Sequence, residues 1–127
     1  MKRYWLLSAG ITLMLSSFTV KPHESSYDVL GVWKGSLGNE TKMVEALIRL
    51  KQGHTVEYSE VTAQGSKLLK GTFKVLGDTA LVVYIDKKST GKRMVMHGNL
   101  NPTKSFVDGV WQEGQQEEGS FYLQKIR

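Results

Sequence analysis

From Val29 to the C-terminus, apolar and polar residues alternate with a period of two, and short turn signals break the alternation at near-regular intervals. This constrains the fold more than any other feature. A period of two sends successive side chains to opposite faces of an extended chain, and no stretch carries a convincing helical stripe. The clearest case is Lys42–Lys51, where Val44, Ala46, Ile48 and Leu50 share one face and Glu45 and Arg49 the other. Met43–Ile48 taken alone is also compatible with a helix.

The remaining strands are predicted at Val29–Leu37, His54–Val61, Leu68–Leu76, Thr79–Asp86, Lys92–Leu100, Ser105–Gln112 and Gly119–Ile126. Gly38-Asn39-Glu40, Gln52-Gly53, Gly77-Asp78, Asn101-Pro102-Thr103-Lys104 and the polar run Glu113–Glu118 supply turns. Ala63-Gln64-Gly65-Ser66 is a looser connection, and Gly71 marks a bulge or close approach. Eight strands joined by short connections favour sequential antiparallel neighbours. The expected fold is all-β: an eight-stranded antiparallel meander closing into a small barrel, with a two-sheet sandwich as the alternative. Phe73 with Val75, Leu81 with Val83 and Ile85, Met94 with Met96, Val107 with Trp111, and Phe121 with Leu123 should join the Val44–Leu50 set inside.

The first segment stands apart. Basic Lys2-Arg3, an apolar run from Trp5 to Leu15 and small Ser16-Ser17 form the three-part pattern of an export signal. The apolar run is shorter than the roughly 20 residues a membrane-spanning helix needs. The expectation is a leader over 1–24, cut between residues 16 and 25, and a single domain over 28–127. Export to the periplasm or outside of a bacterial cell follows. The chain has no cysteine, so an exported domain must be held by its core alone. Loss of residues 1–24 removes Lys2, Arg3 and Lys21 from the 17 basic residues and Glu24 from the 12 acidic ones, and lowers the net charge from +5 to +3. That balance, with signs interspersed, points away from nucleic acid. Lys87-Lys88 and Lys92-Arg93 flank Ser89-Thr90-Gly91 and read as a solvated hairpin tip.

Catalytic signatures are absent. His54 and His97 lack metal-ligand spacing, no serine sits in a Gly-x-Ser-x-Gly setting, and no glycine-rich loop precedes a helix. Asp108, between Val107 and Gly109, is either a buried carboxylate that orients a ligand or an outward-facing residue. No metal and no cofactor is implied. The candidate ligand-binding residues are Trp33, Tyr58, Tyr84, Met94, Met96, Trp111 and Tyr122: amphipathic tyrosines for a barrel mouth, adaptable methionines and large indoles. Gly31 before Trp33 echoes Gly109 before Trp111, and in both a missing side chain would let the indole lie against the backbone.

The Gly31-Val32-Trp33 triplet at the head of the first strand resembles the start of the lipocalin and avidin-type barrels. That resemblance implies a tryptophan closing one barrel end with a basic residue from the last strand packed on it, here Arg127 or Lys125. Gly35-Ser36-Leu37-Gly38 is similar to the avidin-type start, where a serine near the first loop contacts the ligand. With Trp33 and Trp111 the only tryptophans after the leader, a short lipocalin-like domain is the nearer likeness. Three functions remain open. The first is a non-catalytic exported binder of a small apolar or amphipathic molecule. The second is an exported protein-interaction or inhibitor-like module with a filled core, and the third an enzyme on the same barrel.

Overall fold

A computed structural model describes residues 28–62, 65–87, 91–115 and 117–127. Eight strands follow in chain order: β1 (Gly31–Gly38), β2 (Met43–Lys51), β3 (Thr55–Thr62), β4 (Gly65–Leu76), β5 (Ala80–Lys87), β6 (Lys92–Leu100), β7 (Phe106–Glu113) and β8 (Glu117–Lys125). Each pairs antiparallel with the next, and β8 pairs back onto β1, from Trp33 opposite Lys125 to Gly38 opposite Ser120. The sheet is therefore a closed barrel and not a sandwich. Met43–Ile48 is strand, because burying alternate residues against the other strands outweighs local helix propensity. The leader expected over 1–24 lies outside the described residues. Among the described residues, no helix is long and apolar enough to cross a membrane.

The inward row of every strand meets in one core. Trp33, Ile48, Tyr58, Val83, Ile85, Met94, Met96 and Leu123 are at most 1% exposed. The core also holds the inward sets expected from the alternation, with Val44 and Val75 at its margin.

The two ends of the barrel are closed differently. At the terminal end, Trp33 Nε1 donates to the Val29 carbonyl at 2.9 Å and Lys125 Nζ donates to the Asp28 carbonyl at 2.9 Å. Val32 N donates to the Arg127 carbonyl at 2.7 Å, and Ile126 N to the Val32 carbonyl at 2.8 Å. Arg127 thus acts through its backbone while its side chain is exposed, and Lys125 is the basic residue opposite Trp33. At the opposite, loop end, the interior becomes polar.

Closure brings carbonyls of one strand onto the next. A β-carbon on Gly35 would lie 1.8 Å from the Tyr122 carbonyl oxygen, and one on Gly71 equally close to that of Tyr84. Only glycine permits these approaches, where the sheet bends to close. The two Gly-x-Trp pairs work differently from the sequence expectation. Gly31 makes room for the Arg127 carbonyl and Gly109 for that of His97, not for an indole. The glycine against the Trp111 ring is Gly119, whose β-carbon would sit 2.7 Å from Nε1.

Candidate binding surface

The proposed ligand residues divide into three environments. Trp33, Tyr58, Met94, Met96 and Trp111 are core side chains, none more than 3% exposed. Tyr84 lies on the outside, with Lys74 Nζ 5.7 Å and the Arg93 guanidinium 5.6 Å from its ring. Tyr122 is half exposed on the outer face of β8, its ring stacked on Phe106 at 6.3 Å. The structure does not bring the seven together.

It does bring together a set that the sequence did not connect. Tyr58, Glu60, Lys87 and Glu113 occupy inward positions of β3, β5 and β7 near the loop end. Tyr58 Oη donates to Glu60 Oε2 at 2.6 Å, and Lys87 Nζ donates to the same oxygen at 3.3 Å and to Glu113 Oε1 at 2.8 Å. The Lys87 side chain is 14% exposed and that of Glu113 8%. Lys87 is therefore no part of a solvated hairpin tip. It is in phase with Leu81, Val83 and Ile85, and two inward carboxylates offset its desolvation. Lys88 lies outside the described residues. Burial and the hydrogen bond to Glu60 push the Tyr58 hydroxyl well above the ordinary tyrosine range. Burial opposes the charge on Lys87, but the hydrogen bond to Glu113 and the charges of Glu60 and Glu113 outweigh it and raise its pKa. Every polar atom named here has a partner within the cluster, which suits a cap on the core better than an open site.

A concave surface lies outside, over β6, β7, β8 and β1. Directly paired residues of an antiparallel sheet share a face. One row across this face runs Asn99, Asp108, Tyr122, Ser36. The next runs His97, Val110, Ser120, Gly38, Met43, and beyond it Gln112 faces Glu118. Ser36, Gly38 and Ser120 are small, so the floor sinks between taller neighbours. The resulting groove measures roughly 1210 Å³, above the usual range for a small-molecule pocket, about 300–1,000 Å³. One wall is the β1–β2 loop. Its Asn39 Oδ1 accepts from Thr41 N at 2.9 Å and Lys42 N at 3.0 Å, a side-chain turn that fixes the loop.

Asp108 is exposed on the groove floor, the outward of its two sequence alternatives. His97 is exposed on β6, and His54 packs at a β2–β3 turn with its ring 5.4 Å from that of Phe73. Among the described residues, no three His, Asp or Glu are grouped to hold a metal ion. The signal that marks this surface in sequence is the outward phase of β7 and β8. Phe106, Val110 and Tyr122 occupy positions that elsewhere are mostly polar.

No family model and no curated protein matches the chain. Among solved structures, the chain is similar to a redesigned β-barrel, b11L5F_LGL, with a TM-score of 0.63 and 12% identity over 81% of this chain and 96% of that one. At that identity the likeness is one of fold: a closed barrel of antiparallel strands.

Proposed function

We propose that this chain is an exported, non-catalytic, lipocalin-like barrel that binds a protein partner on its outer face, through the groove over β6, β7, β8 and β1. The observation that carries the reading is the contrast between interior and exterior. Inside, Trp111, Met94 and Met96 are 3%, 1% and 0% exposed in one continuous core. Holding a small apolar molecule there would require these side chains to leave packed positions. Outside, Val110 is 61% exposed, Met43 72% and Tyr122 50%, around a floor of small residues. Exposed apolar side chains gathered in a polar-rimmed depression suit a partner surface. The lipocalin-like part rests on Gly31-Val32-Trp33 at the head of β1 and on Trp33 sealing the terminal end beside Lys125.

The test is a photoreactive side chain placed at Ser120 on the groove floor, or at Thr72 on the outer face of β4, with irradiation in the native host. A discrete adduct is expected from Ser120, none from Thr72, and suppression of the adduct by Val110→Lys. The same adducts from both positions, or none from Ser120, would overturn the reading.

A further inference from the structure

The charge of the groove opposes that of the chain. The domain over 28–127 carries 14 basic and 11 acidic residues, a net +3, yet the charged residues lining the groove are Glu40, Asp108, Glu117 and Glu118, with no lysine or arginine among them. Lys42 on the adjoining loop is engaged with Glu117 at 3.8 Å.

The charges and the apolar groups are also ordered. Asp108 stands in one cross-strand row, Val110 and Met43 in the next, and Glu118 in the row after that. Successive same-face rows of a sheet are about 7 Å apart, and so are successive same-side residues of an extended peptide. A segment lying along the strands would therefore present, to one side, a cation, an apolar side chain and a second cation at positions i, i+2 and i+4.

Resting on the docking reading above, we propose that the groove receives an extended cationic segment of a protein partner, in which lysine or arginine alternates with apolar residues on the docked side. The carboxylate rows select the charge, and the Val110–Met43 row takes the apolar side chain between them. Charge pairing at an exposed groove contributes chiefly to partner choice and encounter rate, so binding weakens as salt rises.

The probe is a short peptide repeating Lys-Ser-Leu-Ser-Lys, titrated into the full domain by amide NMR, with counterparts carrying glutamate or serine for lysine. Shifts are expected at Val110, Ser120 and Tyr122. The Asp108→Asn, Glu117→Gln, Glu118→Gln triple variant should bind about tenfold more weakly. Asp108 and Glu118 are exposed and Glu117 is partly so, and an unchanged melting curve would show that the fold is retained. Equal affinity of the triple variant, or equal binding of the glutamate peptide, would overturn the inference. If the serine peptide seats in the groove as tightly as the lysine peptide, docking stands and the cationic preference falls. If no peptide moves the groove resonances, the cationic segment falls, and the Ser120 cross-link separately decides whether a partner docks there.

Discussion

Adding one methyl group at Gly35 should force β1 and β8 apart. The new carbon would sit 1.8 Å from the Tyr122 carbonyl oxygen, on backbone that has no flexible end to yield. Overpacking of this kind costs about 1–3 kcal/mol, so Gly35→Ala should lower the urea midpoint clearly. Gly53→Ala meets open space and only a left-handed backbone at φ +82°, and should cost less. Equal losses would mean that the close approach at Gly35 is not what closes β1 onto β8. Lys87 offers a sharper test. Lys87→Met leaves Glu60 and Glu113 facing each other near the core without their shared cation. Breaking a buried pair from one side costs about 3 kcal/mol. Removing the whole network together, with Lys87→Met, Glu60→Leu, Glu113→Leu and Tyr58→Phe, should restore most of that stability, because the polar groups that pair with one another are then removed together. A loss in the quadruple variant as large as in Lys87→Met would show that the cluster contributes net stability and not only compensation.

At the level of elements, the β1–β2 loop is a wall of the groove, and one side chain accepts two of its backbone N–H bonds. Asn39→Ala removes the acceptor for Thr41 N and Lys42 N. Amide exchange at both positions should accelerate, with about 1 kcal/mol of local stability lost. Unchanged exchange would place the loop's order elsewhere. The strands themselves were legible because burial on one face imposes a period of two that survives without any knowledge of partners. Val44, Ala46, Ile48 and Leu50 point inward in the structure as the alternation requires. β4 begins three residues before the predicted Leu68, since Gly65 and Ser66 pair with Thr62 and Val61 despite their turn-like composition. The inward placement of Glu60, Lys87 and Glu113 was not legible. Phase assigns them to the core face, but charge argues for solvent, and only their mutual pairing across β3, β5 and β7 resolves the conflict. The groove was hidden for a related reason. Its floor depends on Ser36 meeting Tyr122 and Gly38 meeting Ser120, a register between the first and last strands that no local pattern encodes.

For the whole molecule, the polar cap at the loop end ties barrel stability to alkaline pH. Tyr58 and Lys87 both hold their protons more tightly in the folded barrel than in the unfolded chain. For Tyr58, burial and the Glu60 carboxylate disfavour a second negative charge. For Lys87, Glu113 and Glu60 favour the cation more than burial opposes it. A raised pKa contributes stability that is fully present below the unfolded value and is lost as pH climbs from there through the folded value. The unfolded values are near 10.0 for tyrosine and 10.5 for lysine, so the window opens at about pH 10. Below it, these two groups leave stability flat. Above it, each contributes a decline of up to about 1.4 kcal/mol per pH unit while the unfolded chain has released a proton that the folded barrel keeps. Urea midpoints measured from about pH 8 upward should therefore hold level and then fall, with the fall steeper in the wild type than in Tyr58→Phe. Taking the difference between the two proteins at each pH cancels the lysines and tyrosines on the outer surface, which titrate in both. A difference that stays constant across pH 10 would mean that the Tyr58 hydroxyl exchanges freely with solvent and that the loop end is open. A difference that narrows with rising pH would mean that the folded barrel keeps the Tyr58 proton beyond the ordinary tyrosine range, as a dry Tyr58–Glu60–Lys87–Glu113 cap requires.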